Sequence, residues 1–538
     1  MRNPSTSHPP QRRWATLLSC ILLISCTCIA SVTPGTDSLG AVSSERKVCS
    51  EIGIGLLKRG GNAADAMVGT TLCVGVIGMQ HSGIGGGGFM LVRGSDGKYE
   101  SIDFRETAPA AAFEDMYENN INASVRTGLA SGVPGDVRGL EYLHNKYGKL
   151  PWRVVCNPAV HVARYGFPVT EDLVRYMAAA TKDGNTFLTD DPQWAMDFAP
   201  NGTLMGLGDI LTRKRYANTL EAIAKHGSKA FYEGPIANHT INALQSQNGT
   251  MTLSDLASYA VSIRKPISIT YRGYKIYSCG APSGGSVALS ILKIIEGYNM
   301  SDPSIAHLNT HRLDEAMRFS YAARLSLGDP DFFSYMDGFE SNMLRSSTAS
   351  SIRGRISDSH THNVSYYAPP NAGMYSQPEN HGTSHIVATD ASGLSITLTS
   401  TVNLLFGSQL VVPETGVVMN NEMNDFSIPG VRNAFGFVPS PINYIRPHKR
   451  PLSSVSPLIV EHPNGTLYLS IGAAGGSRIP TATVQGVWHV LDHGMGVREA
   501  LEERRIHDQL MPDTTTFEWG FDGETVKSME GRGHGVEM

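Results

Sequence analysis

Cysteine is scarce in this chain, with seven in 538 residues. Cys20, Cys26 and Cys28 crowd into the first 30 residues, so only Cys49, Cys73, Cys156 and Cys279 serve the body. Four cysteines allow three pairings, and sequence does not choose among them. No Cys-x-x-Cys stands in the body, which removes the usual structural zinc pattern. Charged residues are also few, at 17%, with a formal net charge of −5. No run of five or more Lys/Arg occurs, so nucleic acid is not an expected partner. The glycine run Gly85–Gly88 lacks the Gly-Lys-Ser/Thr ending of a nucleotide loop, and no acidic residue follows at dinucleotide-fold spacing. It reads as close backbone packing. His381 and His385 are four apart on an expected strand, where that spacing makes no helical ligand pair. Neither a metal nor another cofactor is therefore expected.

What the chain does contain is 41% hydrophobic residues and 56 glycines, the composition of an ordered globular protein with many tight turns. Arg12 and Arg13 precede an apolar stretch from Trp14 to Val32. A basic flank before an apolar core is the pattern of a secretory signal, with Cys28-x-Ala30 as a small-residue cleavage site. The stretch is also just long enough to remain as a single membrane anchor with the body outside. Both readings of residues 1–35 stay open, and both place the body in the secretory pathway, outside the cell or at its surface. Asn-x-Ser/Thr sequons start at Asn122, Asn201, Asn238, Asn248, Asn299, Asn363 and Asn464, in agreement with export.

Along the body, Cys49 to Leu57 reads as a helix ended by Gly60-Gly61. Asn62 is placed to cap a second, buried helix from Ala63 to about Val76. The glycine run then enters a strand at Phe89–Val92, and another strand ends at Asp103. Helical patterns dominate 130–350, including Gly135 to Tyr147 and His311 to Leu327. Residues 346–382 are rich in Ser, Thr, His, Asn, Pro and Gly and read as an exposed flexible segment. Strands follow at Thr383–Thr389 and Leu394–Thr401, and a hairpin at Pro457–Ile471. Helices are expected at Thr483 to about Leu491 and at Val497 to about Gln509. Strands bundled with helices give a layered α/β domain. No internal repeat is present.

Thr383 is the residue on which chemistry can turn. A lone threonine hydroxyl is a poor nucleophile. If the chain is cut between Gly382 and Thr383, the new α-amine becomes an adjacent general base. That amine titrates near 7.7–8.0 and is partly neutral at working pH. Glycine at 382 suits the strained geometry of internal attack.

Around this threonine the sequence resembles the gamma-glutamyltranspeptidase family. The segments that carry the resemblance are Thr383-Ser384-His385, Thr399 to Ser408, Asn420 to Ser427, Arg450 to Ser454, and Gly472 to Ser477. Upstream, Gly60 to Ala66, Gly85–Gly88, Arg105 to Pro109 and Gly132 to Gly135 fit the same family, in the same order. The resemblance implies an N-terminal-nucleophile hydrolase-type αββα sandwich, formed jointly by residues 36–382 and 383–538 after autocleavage at Gly382–Thr383. It implies Thr383 as nucleophile, Thr401 as its hydrogen-bonding threonine, and Gly475 and Gly476 as the oxyanion hole. Arg105, with Ser453 and Ser454, would take the substrate α-carboxylate. Glu422 and Asp425, with Asn403, would take its α-ammonium. Glutathione and other gamma-glutamyl compounds would be donors, amino acids or dipeptides acceptors, and the two cleavage products a heterodimer. Cys49 and Cys73 are placed like the disulfide of animal members, leaving Cys156 and Cys279 as buried thiols. Family members usually continue further beyond Val497–Gln509 than this chain does. Two rivals accompany this reading: an acylase for another side-chain amide, and an unprocessed, inactive secreted homologue.

Overall fold

Strand β1 (Gly40–Ser43) leads into helix α1 (Lys47–Lys58) and helix α2 (Ala63–Ile77). Asn62 starts α2 as the sequence predicts. Its side chain accepts from the Ala64 and Asp65 amides, while the Asp65 carboxylate accepts from the Asn62 amide. This reciprocal pair satisfies N–H groups that a helix start otherwise strands. Every residue of α2 is buried, which its unbroken apolar and small content allows. A Cys49–Cys73 disulfide joins the two helices with a Cα–Cα distance of 5.4 Å. Cys156 and Cys279 are free and buried, as expected. These observations come from a computed structural model that describes residues 39–367, 381–432, 434 and 438–538. The leader at 1–35, and residues 368–380 of the segment read as flexible, lie outside the described residues.

Two antiparallel sheets lie between helices. The first is built from β1, β2 (Gly87–Arg93), β3 (Tyr99–Asp103), β4 (Ser262–Arg264), β7 (His381–Asp390) and β8 (Ser395–Leu404), in the order β1-β7-β8-β2-β3-β4. The second is β10-β9-β6-β5, from β5 (Ile267–Tyr271), β6 (Tyr274–Ser278), β9 (Leu458–Glu461) and β10 (Leu467–Ile471). Strand alternation sorts the core into layers. Met90, Val92, Ile386, Ile396 and Leu398 face α1 and α2. Their neighbours Phe89 and Leu91 pack between the sheets with Ile459 and Cys279. Leu458 and Val460 turn outward to α3 (Gly285–Ile295), α4 (Ala306–Arg324) and α5 (Ile479–Asp492). This is an αββα sandwich, and residues on both sides of position 382 supply strands to each sheet.

Three expectations need correction. The helix expected over Val497–Gln509 ends at Glu502, and Ile506–His507 is a strand. Gln485 explains the change, because its side chain accepts from the Ile506 amide and donates to the Ile506 carbonyl, at 2.9 and 2.8 Å. The described part of 346–382 is not irregular throughout, since it holds helices at Ser346–Arg353 and Val364–Tyr367. Tyr367 anchors the second by bonding the buried Glu315 carboxylate. Finally, β7 starts at His381, two residues before Thr383. Gly382 pairs with Asn403 and His381 with Leu404, across a register shift after Ser400.

Candidate active site

Thr383 and His385 on β7 share one face with Thr397 and Thr399 on β8, because alternate residues point the same way. That face looks into the space between the sheets, where His385 bonds both Thr399 and Thr397, at 2.9 and 3.1 Å. Gly472 lies over the ring; a Cβ there would come within 2.2 Å of His385. Burial pushes the His385 pKa down to about 4, so the ring is a neutral packing group.

The register shift brings Thr401 onto the peptide bond of interest. Its hydroxyl donates to the Gly382 carbonyl at 2.6 Å and accepts from the Asn403 amide at 2.8 Å. In the uncut chain Thr401 thus serves the carbonyl before Thr383, a relay that polarises the bond expected to break. Asn403 holds φ +74°, a left-handed conformation that asparagine tolerates better than most side chains. The His81 carbonyl accepts from Val402, and the Gln80 carbonyl from Phe406, which clamps the bulge from both ends. Glycine at 382 also has a packing reason, because a Cβ would sit 2.7 Å from the Gln80 carbonyl oxygen. The glycine run also proves to be a packing device. A Cβ on Gly86 would meet the Thr401 carbonyl at 2.0 Å, and one on Gly88 would meet that of Thr399 at 2.0 Å. A Thr401→Ala chain is expected to cut itself roughly 100-fold more slowly, by analogy with loss of one oxyanion donor. A time course of band splitting on a denaturing gel checks this, and an unchanged rate would refute it.

Arg105 follows β3, and its position is fixed by its neighbours. Its amide donates to Asp103 Oδ1 at 3.0 Å, and its carbonyl accepts from the Tyr259 hydroxyl at 2.9 Å. The guanidinium is fully buried. One amino group bonds Glu422, the other bonds Asp425, and Nε donates to the Pro451 carbonyl at 3.4 Å. The residues expected to take the two charges of an amino-acid end therefore take one another here. Burial raises Glu422 to about 8 and raises Asp425 as well, while the Arg105 charge pulls both back. Glu106 is also buried and driven well up by desolvation, with neither carboxylate oxygen hydrogen-bonded within the described residues. Arg105 stands 3.8 Å from it and makes its shorter contacts to Glu422 and Asp425.

Asn420 and Asn421 set the acidic turn. Asn420 Oδ1 accepts from the Glu422 and Gly132 amides, and its amide nitrogen donates to the Gly85 and Gly132 carbonyls. Asn421 accepts from the Leu404 amide and donates to the Val125 carbonyl. Asn403 donates to the Asn421 carbonyl at 3.0 Å, tying the bulge to this turn.

A polar pocket gathers Thr383, Thr401, Asn403, Arg105, Glu422, Asp425, Ser453, Ser454 and Gly476. Gly475 directly precedes Gly476 and is not among the lining residues. Both glycines have positive φ, +126° and +59°. They open a turn, Gly476–Arg478, that runs into the N-terminus of α5. Ser453 Oγ accepts from the Val455 amide at 3.2 Å and Ser454 Oγ from Arg324 at 3.3 Å, which leaves each hydroxyl proton to donate elsewhere. Arg324 also lines the pocket, and the sequence reading missed it. The sequence carried no signal that sets it apart, since Arg318 on the same helix is buried as well and pairs with Asp508 and Asp513 instead.

A second histidine cluster joins His311, Glu315 and His534. His311 Nδ1 and His534 Nε2 are 2.7 Å apart, with Ser357 O and Asp314 at the outer nitrogens. Two nitrogens each about 2.0–2.1 Å from one tetrahedral zinc lie more than 3 Å apart. The spacing fits a hydrogen bond between the two rings, and against the cost of burial the Asp314 charge raises the His534 pKa.

A family model described as gamma-glutamyltranspeptidase matches residues 49–538. The glutathione hydrolase proenzyme of Arthroderma benhamiae is 53% identical over 510 residues, spanning 93% of this chain and 87% of that protein. Among solved structures, cephalosporin acylase from Bacillus halodurans matches with TM-score 0.81 and 26% identity, covering 93% of this chain and 89% of that one. The gamma-glutamyltranspeptidase of Helicobacter pylori matches with TM-score 0.58 and 31% identity, over 62% of this chain and 97% of that one.

Proposed function

The chain belongs to the gamma-glutamyltranspeptidase family and is a gamma-glutamyltransferase and glutathione hydrolase; from that premise we propose how its own residues carry the reaction. The observation that carries the proposal is the Asn403–Thr401–Gly382 hydrogen-bond relay at the bond before Thr383. In maturation the Thr383 hydroxyl attacks the Gly382 carbonyl carbon, and the peptide C–N bond breaks to leave an ester. Water then hydrolyses that ester. Gly382 departs as a carboxylate, and Thr383 gains a free α-amine.

In turnover that amine takes the proton from the Thr383 hydroxyl as its oxygen attacks the gamma-glutamyl carbonyl carbon. The oxyanion is met by backbone N–H groups at Gly475 and Gly476. The same proton passes to the leaving amine, and an acyl-enzyme ester remains. Water, or the amine of an amino acid or dipeptide, resolves it. The donor's α-carboxylate goes to Arg105, Ser453 and Ser454, and its α-ammonium to Glu422, Asp425 and Asn403. A zwitterion fits this pocket because it exchanges partner for partner with the ion pairs already there.

The likeness to a cephalosporin acylase gives one specific rival, a glutaryl-type amide substrate, which has no α-ammonium. A denaturing gel and two chromogenic anilides decide. Bands dividing at residue 382, with turnover of the gamma-glutamyl anilide at least tenfold above the glutaryl anilide, are expected. One uncut band, or preference for glutaryl, would overturn the proposal.

We propose in addition that the body is exported and glycosylated, whether residues 1–35 are removed or kept as an anchor. All seven sequon asparagines are exposed, and the Cys49–Cys73 bond suits an oxidising compartment. Among the described residues no helix is long and apolar enough to cross a membrane.

A further inference from the structure

Arg324 is the last residue of α4 and is buried, with its guanidinium at the pocket that holds Thr383. Two roles are open to it. It can cap the carbonyl end of α4, as basic residues near helix ends often do. It can also act on the pocket. The second role follows from charge and from hydrogen-bond direction. Arg105 already bonds both acids of the pocket wall, Glu422 and Asp425, so a donor α-carboxylate gains from a second cation beside them, and Arg324 lines the same pocket. Burial lowers the guanidinium only to about 10, which leaves it charged at neutral pH. Its Nη2 also donates to Ser454 Oγ at 3.3 Å, so that hydroxyl's own proton must point to another acceptor. Tyr321, one turn earlier on α4, donates to the Ser477 carbonyl and holds the same helix end against the turn after the oxyanion glycines.

We infer that Arg324 is a positioning residue for the donor's α-carboxylate: it aims the Ser454 hydroxyl into the pocket and supplies the second positive charge there. The inference rests on the substrate assignment made above. It predicts a binding effect that is uniform along the reaction, because the α-carboxylate lies away from the carbonyl that changes charge.

The test is steady-state kinetics on a gamma-glutamyl anilide with the cleaved enzyme. R324Q is expected to raise KM by roughly 10- to 100-fold, the range for losing a hydrogen bond to a charged group, with kcat within about threefold of the parent. R324K, which keeps the charge, is expected to recover most of that loss. A kcat that falls as far as kcat/KM with KM unchanged, or an R324K no better than R324Q, overturns the inference and leaves helix capping. Should R324Q stay uncut, R324K and S454A are combined. The inference expects the double variant's KM within about twofold of that of S454A, whereas two independent multiplicative rises overturn it. A parent enzyme idle on the gamma-glutamyl anilide would instead sink the substrate assignment, so the two failures are separable.

Discussion

A Thr383→Ala chain is expected to run as one uncut band and to release no chromogenic amine from a gamma-glutamyl anilide. The loss should be on the order of 10⁶-fold, the scale of removing a nucleophile outright. Two events fail together, because the same hydroxyl first breaks its own backbone and then attacks substrate. The rest of the site should survive the change. The Thr401–Gly382 bond needs nothing from the Thr383 side chain, and the ion pairs of Arg105 are made by other elements. Thr383→Ser keeps a hydroxyl and should still cut. A fully active alanine variant would dispose of the mechanism.

The second large effect is expected at Arg105. Arg105→Gln removes the cation between Glu422 and Asp425 and leaves two buried carboxylates without their partner. Truncating one partner of a buried charge pair costs about 2–5 kcal/mol of binding, and the donor's α-carboxylate loses its cation, so kcat/KM for the gamma-glutamyl anilide should fall roughly 10³-fold. Arg105→Lys restores charge but not the two-pronged reach to both acids, and should recover only part. The glutaryl anilide has a carboxylate but no ammonium, and it reports which half of the recognition was lost. A drop of less than tenfold in Arg105→Gln would mean that the carboxylate is held elsewhere.

Much of this site could be read from the chain because it is built from local devices. The Asn62–Asp65 cap and the glycine run each carry a pattern of a few residues that the backbone demands. Alternation alone puts Thr383 with His385 and Thr397 with Thr399, and the register of β7 on β8 then brings the two pairs to one face. What could not be read depends on partners distant in sequence. Nothing near 503–509 shows that Gln485 will take the Ile506 backbone groups and end a helix. Glycine at 382 was legible, but its packing reason, the backbone of Gln80, was not. Arg324 meets Ser454 across 130 positions, and the mutual pairing of Arg105 with Glu422 and Asp425 spans more than 300. The reading named Arg105, Glu422, Asp425 and Ser454 one by one and missed Arg324, and the contacts among them escaped it.

The interleaving of strands has a consequence for the mature protein. β7 and β8 form a hairpin whose outer edges pair with β1 and β2, both from the other side of position 382. A cut before Thr383 falls inside β7, keeps the ladder from Ser384 onward in place, and would turn the unfolded state into two free chains. Unfolding then becomes a dissociation, and its midpoint acquires a dependence on protein concentration that the uncut chain lacks. Dilution, which is harmless to the precursor, becomes a denaturing variable for the enzyme. Refolding likewise becomes an encounter between two molecules, so maturation trades a reversible fold for one held by how slowly its pieces part.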